Sequence, residues 1–237
     1  MKLLFVLLFI VPISLFCQKS DSTNKSKLSI GLTFSPDYCY RTLRSDANSK
    51  WIEDYRNAKE VPKFGYTSGI NMSVKLNKRF SFETALLYAD RGMKTKEYEL
   101  LAPGQSDPVI PKTIKYNYHY IYLDVPIKMN FYLLTKKIKL FIETGISPSL
   151  LFTQYNVAYN KFSDGHESVK KSTNTLYSYP RINLTAIAGI GLNYDLSEKL
   201  YFKAEPMFRY SLSTFGSTPI REHLYSAGLN TGIFLKL

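Results

Sequence analysis

The chain has 237 residues, of which 19 are Tyr and 15 are Phe, and this length is enough for one β-rich domain with a sizeable interior. Its formal net charge is +12 at pH 7, but the lysines are scattered and do not form the clustered basic face that nucleic-acid binding requires. The charge therefore argues against a nucleic-acid partner. It leaves two explanations open, attraction to lipid phosphates and a solvated surface.

The N-terminus has the pattern of a secretory signal peptide. Met1-Lys2 gives a basic start, an apolar run extends from Leu3 to Phe16, and polar residues begin at Gln18. The apolar run is shorter than the roughly 20 residues that a membrane-spanning helix needs. Lipidation of Cys17 is the alternative, which the bulky Phe16 in front of it disfavours. The predicted divisions are a signal peptide over 1–17, a polar leader over 18–26 and a barrel domain over 27–237.

Cysteine usage predicts neither disulfides nor a metal cluster. If Cys17 leaves with the signal peptide, Cys39 stands alone, and we interpret it as a small buried residue of a strand. No spacing of ligating residues indicates a metal site, and no motif indicates a cofactor.

Period-two alternation recurs along the mature chain and is clearest in Phe64–Asp90. Two alternating runs flank the polar turn Asn77–Arg79 there, which is typical of strands with one apolar and one polar face. Runs of about ten residues also suit tilted strands that cross a bilayer. The eight predicted strands are Lys27–Tyr40, the two halves of Phe64–Asp90, Tyr116–Leu133, Ile138–Phe152, Arg181–Tyr194, Leu200–Leu212 and Leu224–Leu237.

The fourth predicted strand leaves its faces undecided. Tyr116, Tyr118, Tyr120 and Tyr122 occupy even positions, whereas the apolar residues from Ile121 onward occupy odd ones. Either these tyrosines line the mouth of the interior, or a bulge switches the faces near Tyr122.

Short and long connections alternate between the eight strands. Turns such as Thr135–Lys137 and Asp195–Lys199 alternate with long polar segments such as Arg41–Lys63 and Thr153–Pro180. This predicts an all-β fold, an eight-stranded antiparallel up-and-down transmembrane β-barrel with short periplasmic turns and long extracellular loops. We therefore expect a monomer in the cell outer membrane, in contact with its lipid. A soluble exported barrel that binds an apolar ligand is an alternative, with the two faces inverted.

The polar faces of the strands carry small residues and balanced charges, which suits the interior of a narrow barrel. Buried charges must be paired to be tolerated. We therefore predict a structural network in the lumen, with Lys128, Glu143 and Glu205 at similar heights and Asp124 beside Arg209 higher up. A narrow or gated pore is the alternative. The predicted network comprises Lys75, Glu83, Asp124, Lys128, Glu143, Lys203, Glu205 and Arg209.

Two features of the predicted loops bear on function. Three histidines lie in or beside them, with Asp90 and Asp164 available, but no spacing ties them together; we therefore predict that the protein is not an enzyme. In loop one, Trp51 and Tyr55 stand among charges of both signs, and loops on a rigid scaffold often bind partners. We predict these two residues as contacts for another envelope protein. The histidines are His119, His166 and His223.

Three segments resemble the PorT-like outer-membrane β-barrel domain family common in Bacteroidota: Ser35–Arg41, Tyr122–Pro126 and Glu205–Tyr210. The resemblance covers nearly the whole mature chain and implies an outer-membrane barrel. Most members of that family have no assigned function, and a minority are linked to type IX protein secretion. It supplies no catalytic residues. Cys39 stands where this motif usually has Ser.

Overall fold

The structure, a computed structural model, describes residues 27–101, 105, 107, 109–135, 137–173, 181–214 and 219–237. The predicted signal peptide, the polar leader and the possible lipidation of Cys17 lie outside these residues. No helix among the described residues has the length and hydrophobicity needed to cross a bilayer.

Strands make up most of the described chain. A short 3-10 helix, Ala47–Ser49, leads into the α-helix α1, Lys50–Lys59. The strands are β1 (Leu28–Ser45), β2 (Glu60–Val61), β3 (Lys63–Lys75), β4 (Phe80–Arg91), β5 (Lys94–Thr95), β6 (Tyr98–Glu99), β7 (Thr113–Asp124), β8 (Ile127–Tyr132), β9 (Ile138–Lys161), β10 (Glu167–Ser172), β11 (Ile182–Asp195), β12 (Leu200–Ser211) and β13 (Ile220–Lys236).

The long strands form a closed antiparallel ring of eight wall positions. The order is β1, β3, β4, β7 followed by β8, β9, β11, β12 and β13, and neighbours in the ring are hydrogen-bonded. Pairing of β13 with β1, from Ser29 opposite Lys236 to Ser45 opposite Ile220, completes the circle. A closed ring leaves no open edge in its wall, which is the condition for strands to span lipid.

The two faces of the wall agree with the predicted ones. In β1, alternate residues from Ser29 to Arg41 are buried. Leu32, Ile70 and Ile233, which lie on the opposite face of their strands, are 55–68% exposed. The apolar face therefore points outward to lipid, and this excludes the soluble alternative with its apolar lumen.

The structure resolves the ambiguity of the fourth wall position. Tyr120 and Tyr122 are buried, so these two tyrosines line the interior. An irregularity does occur here, but it lies in the neighbouring strand β9, where Phe152 is the extra residue between the partners of Ile121 and Tyr122. The predicted strand Tyr116–Leu133 is also interrupted, because Pro126 has no N–H to donate to a ladder.

Aromatic side chains lie on the outside of the wall, towards the ends of the strands that are predicted to be extracellular. Phe34 stacks on Tyr66 with ring centroids 6.2 Å apart, and Tyr66 stacks on Tyr88 at 6.0 Å. Further along the ring, Phe208 contacts Tyr225 at 5.9 Å. Such belts sit at membrane–water interfaces, so this level corresponds to the extracellular face of the membrane.

Two extracellular segments are more ordered than predicted. Strand β9 continues to Lys161 and β10 pairs back onto it, so the interpretation of 153–161 as loop was wrong. Helix α1 lies in what was predicted as a polar connection. The Asp46 side chain accepts a hydrogen bond from the Ser49 N–H at 2.8 Å and so caps the 3-10 helix that leads into α1.

Candidate functional site: a filled lumen beneath an extracellular cap

Five ionisable residues meet in the middle of the lumen, and we call them the central cluster. They reach it from β4, β8, β9 and β12, because each occupies the inward parity of its strand. Their side chains are 0–3% exposed. The members are Glu83, Lys128, Glu143, Lys203 and Glu205.

Both ammonium groups of the central cluster contact all three carboxylates. The Lys128 Nζ lies 2.8 Å from Glu83, 3.0 Å from Glu143 and 3.6 Å from Glu205. The Lys203 Nζ lies 2.7 Å from Glu83, 3.4 Å from Glu143 and 2.7 Å from Glu205. These contacts tie four wall strands together across the lumen. The carboxylates lie within 4.8 Å of one another. Both oxygens of Glu83 contact an ammonium group, whereas Glu143 is contacted only through Oε2.

A second charged layer lies nearer the extracellular side. The Asp37 carboxylate accepts hydrogen bonds from Arg209 at 3.0 Å, Ser35 at 2.6 Å and Thr67 at 2.5 Å. Asp124 pairs instead with Arg91, so the predicted pairing of Asp124 with Arg209 was wrong. The prediction compared the heights of these residues by counting along each strand from its turn, and this count ignores the tilt of the strands. Arg91 lies on β4, directly beside β7, which carries Asp124.

Lys75 differs from the other members of the predicted network, which are buried. Its inward parity suggested a place in the network, but it is the last residue of β3 and is exposed. At the end of a strand the wall no longer encloses the side chain, so parity alone does not bury it.

Ion pairs and aromatic rings also occupy the periplasmic end of the lumen. Asp195 accepts hydrogen bonds from Lys139 at 2.6 Å and from Lys236 at 2.8 Å, and these residues come from three different wall strands. Above them Tyr201 stacks on Phe234 with ring centroids 5.0 Å apart. The lower lumen is therefore filled as well.

Helix α1 is fastened over the extracellular mouth, and we call it the cap. Its Arg56 donates to Glu60 at 2.7 Å and to Glu222 of β13 at 2.9 Å. Arg41 of the neighbouring strand β1 donates to Glu60 at 2.8 Å and to Asn57 at 2.6 Å. Because Arg41 and Glu222 are buried residues of wall strands, these contacts fasten the helix to the adjacent strands β1 and β13.

The charges of Arg56 and Glu53 in the cap are stabilised by their partners. Burial acts to lower the pKa of Arg56, but the Glu222 and Glu60 carboxylates outweigh it and raise that pKa above its usual value. At the start of the helix, hydrogen bonds from Lys50 and then Ser45 hold the pKa of Glu53 below its usual value. Both side chains therefore keep their charges at neutral pH.

The outer side of the cap carries the two aromatic residues singled out in the sequence. Trp51 is 69% exposed and Tyr55 is 54% exposed. The Lys59 Nζ lies 4.4 Å from the centroid of the Tyr55 ring and 4.2 Å from that of Tyr98. The four side chains Trp51, Tyr55, Lys59 and Tyr98 form a surface that we call the cap stripe.

The structure ties one histidine to an aspartate, which the sequence spacing did not show. The His119 Nδ1 lies 2.8 Å from Asp90, and Lys63 lies within 2.9 Å of both residues. The imidazole also stacks on Tyr155, with ring centroids 4.6 Å apart. Among the described residues, no serine, threonine or cysteine side chain forms a hydrogen bond with His119. The buried ion pair of this group is that of Lys63 with Asp90, and His119 lies against it.

Several charged residues that fasten the lumen and the cap were missed. Asp37 and Arg41 share the inward parity of β1, so a parity count extended along that strand would have found them. Arg91, Glu60 and Glu222 lie in or next to segments predicted as loops, and only their long-range contacts reveal their roles. No local signal separates these residues from solvated charges.

The closed ring, the outward apolar face and the filled lumen define an outer-membrane β-barrel. A family model described as outer membrane protein β-barrel domain matches residues 16–216, and the chain belongs to that family. The protein is accordingly a resident of the cell outer membrane. A search among curated protein sequences finds no match.

Several solved structures share the overall arrangement. Neisserial surface protein A is 13% identical, with 90% of this chain and 98% of that chain covered and a TM-score of 0.44. Ail, the attachment invasion locus protein of Yersinia pestis, is 10% identical, with 88% and 99% covered and a TM-score of 0.36. OprG from Pseudomonas aeruginosa is 9% identical, with 88% and 97% covered and a TM-score of 0.38. Likeness at this level carries no argument about function.

Proposed function

We propose that this outer-membrane barrel is a closed, non-catalytic monomer whose cap binds another envelope protein. The observation that carries the proposal is the two-sided construction of α1. One side is fastened by Arg56 to the mouth of the barrel, and the other presents Trp51 and Tyr55 to the medium.

The cap stripe has the composition of a protein-binding surface. Trp and Tyr are enriched among the residues that contribute most to protein–protein binding. A surface held rigid before binding loses less conformational entropy when a partner arrives. The ion pairs of Arg56 and Arg41 supply that rigidity from below.

The filled lumen supports a structural role for the barrel itself. Ionic layers lie at the periplasmic end, in the centre and under the cap. An eight-stranded barrel has an interior just wide enough for side chains to fill. We assign the central cluster, together with Asp37, Arg91, Asp124 and Arg209, to stabilising this plug.

Kinship with the PorT-like family is part of the proposal. The residues that carry the resemblance include Asp37, Asp124, Glu205 and Arg209, and all four take part in buried ion pairs. Their roles in packing the lumen support a structural origin for the shared motifs. The absence of catalysis is likewise proposed, and it is supported by the position of His119 against a buried ion pair.

Cross-linking in native outer membranes tests the cap. We expect the wild-type chain to form a discrete cross-linked complex, and the double variant Trp51→Ala/Tyr55→Ala to form at least about tenfold less of it, as expected for two interface anchors. The matched control is Tyr159→Ala/Val169→Ala on the extracellular β9–β10 hairpin, whose side chains are 42% and 64% exposed. Equal complex formation by all three proteins would refute the proposed role of the cap.

A further inference from the structure

All three periplasmic turns repeat one five-residue pattern. Each begins with Leu, carries Lys or Arg three positions later, and then continues with an apolar residue that opens the next strand. Turn chemistry alone requires neither the leucine nor the cation. The three copies are Leu76-Asn77-Lys78-Arg79-Phe80, Leu134-Thr135-Lys136-Lys137-Ile138 and Leu196-Ser197-Glu198-Lys199-Leu200.

The leucines that begin the turns face outward to the same extent. Leu76, Leu134 and Leu196 are 51%, 52% and 54% exposed. A turn surrounded only by water gains nothing from an exposed leucine, whereas the same side chain at a membrane surface reaches the acyl chains. The leucines therefore place all three turns at the level where lipid headgroups meet hydrocarbon.

The first and third turns have the same backbone geometry. The N–H groups of Leu76 and Asn77 both donate to the Phe80 carbonyl, at 3.0 and 3.2 Å. The N–H groups of Leu196 and Ser197 both donate to the Leu200 carbonyl, at 2.9 and 3.0 Å. The leucine and the cation are therefore held by the same backbone geometry in these two turns, which lie at separate places on the rim.

The periplasmic rim carries a large excess of positive charge. Its described residues include eight Lys or Arg side chains and two carboxylates, an excess of six positive charges, and Lys139 and Lys236 are bound to one of those carboxylates, Asp195. The exposed cations of the rim are Lys27, Lys75, Lys78, Arg79, Lys137 and Lys199.

The extracellular segments are different. Residues 46–62 contain three cations and four carboxylates, residues 92–112 contain three of each, and residues 153–181 contain four cations and two carboxylates. The excess at the periplasmic rim is therefore larger than that of any of these three segments. Because turns follow every second wall strand, the periplasmic cations are spread around the whole circumference.

We propose that the three Leu-x-x-Lys/Arg turns bind the phosphodiester headgroups of anionic phospholipids in the periplasmic leaflet. Leu76, Leu134 and Leu196 enter the upper acyl region, and Arg79, Lys137 and Lys199 take the phosphates. The planar guanidinium group of Arg79 can donate two parallel hydrogen bonds to phosphate oxygens. Lys137 also lies 5.5 Å from the centroid of the Tyr194 ring, and tyrosine is itself favoured at membrane interfaces. This inference rests on the outer-membrane location and not on the proposed role of the cap.

The test uses the folded full-length chain in vesicles of phosphatidylcholine that contain a minor fraction of spin-labelled phosphatidylglycerol or spin-labelled phosphatidylcholine. The fraction of label immobilised by protein gives the relative affinity for the two lipids. Since each cation near an anionic lipid surface contributes appreciably, we expect wild type to prefer phosphatidylglycerol by at least about threefold. The triple variant Arg79→Gln/Lys137→Gln/Lys199→Gln should lose at least about half of this preference, and the other exposed cations of the rim should account for the remainder.

A control variant with the same change of charge tests whether cations on the extracellular side contribute to the lipid preference. Lys96→Gln/Lys112→Gln/Lys170→Gln removes three exposed extracellular cations and should keep the preference. Free inorganic phosphate at millimolar concentration should not displace the labelled lipid, because the leucines contribute only when acyl chains are present. Equal loss in both variants, displacement by free phosphate, or no preference in wild type would each overturn the proposal.

The salt dependence of the lipid preference can be tested on the wild-type protein alone. Raising NaCl from about 0.05 to about 0.5 M should lower the wild-type preference severalfold, because exposed charges are screened. If the triple variant does not fold, as judged by heat-modifiable gel migration, Lys199→Gln alone should give a partial loss. A preference that is independent of salt and unchanged in Lys199→Gln would then contradict the proposal.

Discussion

The central cluster and the cap are both held by ion networks, but water reaches the two networks to different extents. Side chains of the central cluster are at most 3% exposed. In the cap, Arg56 is 25%, Glu60 10% and Glu222 8% exposed. A buried charge that loses its partner stays unpaired, whereas a charge near the surface is rehydrated. The same kind of contact should therefore fix the barrel in one place and only position a helix in the other.

The largest expected effect follows from removing one cation of the central cluster. Lys203→Met leaves three carboxylates with the single ammonium of Lys128, and breaking a buried pair in this way costs about 3–5 kcal/mol. We expect that loss in the free energy of unfolding, measured by urea titration of the vesicle-folded protein with heat-modifiable migration as the readout. Lys170→Met, at an exposed position of β10, should change it by less than about 0.5 kcal/mol. A loss below about 1 kcal/mol for Lys203→Met would show that the cluster is not a buried network.

The three carboxylates should respond unequally to loss of charge. Glu83 lies within 2.8 Å of both lysines, whereas the closest contacts of Glu143 are 3.0 and 3.4 Å. The cluster also has one more carboxylate than ammonium, so neutralising one acid balances it. We expect Glu83→Gln to cost about 2–3 kcal/mol and Glu143→Gln less than about 1 kcal/mol in the same titration. The reverse order would contradict this description of the charges.

In the cap, Arg56→Ala should leave the barrel intact and free the helix. The unfolding free energy should fall by less than in Lys203→Met, because Arg56 is 25% exposed and Glu60 keeps its contact with Arg41. Cleavage of residues 46–62 by an added protease should nevertheless become much faster than in wild type, since α1 loses its attachment to β13. Lys50→Ala, on the same helix but 56% exposed at its side chain, serves as the control and should be cleaved at nearly the wild-type rate. If both variants were cleaved at the same rate, Arg56 would not be the residue that attaches the helix to the barrel.

The smallest expected effect is the response of the cap to acid. The pKa of Glu53 is lowered in the folded protein, so its stabilising contribution is complete above the pKa of the unfolded chain and is lost as pH falls through the lowered value. The fluorescence of Trp51, the single tryptophan, should stay constant from about pH 8 to about pH 5 and change only below about pH 4. Glu53→Gln should lack the part of this change that comes from Glu53. A transition near neutral pH would be inconsistent with the contacts described.

Sequence periodicity predicted the parts of the fold that repeat locally. Alternation in segments such as Phe64–Asp90 reports which face meets lipid, because a strand has a side-chain period of two. Parity also brought Lys128, Glu143 and Glu205 to one face, but it could not show that Asp124 meets Arg91. That contact depends on the tilt of neighbouring strands, which a single sequence does not encode locally.

The rest of the candidate site depends on contacts between distant segments. Helix α1 has ten residues and a mainly polar sequence, so its sequence shows no clear apolar periodicity. Its stability comes from tertiary partners such as Arg41 and Glu222. The extension of β9 to Lys161 likewise depends on pairing with β7 and β10. The cap carries the proposed binding surface, and both the cap and the β9 extension are elements that sequence reasoning left as loops.

The central claim is that side chains close this lumen, and ion conductance tests it most directly. Purified wild-type protein in planar bilayers should insert without steady open-channel current. Arg56→Ala should also stay closed, because the central cluster lies below the cap. Steady, ohmic channels from folded wild-type protein would contradict the filled lumen and the structural role assigned to it.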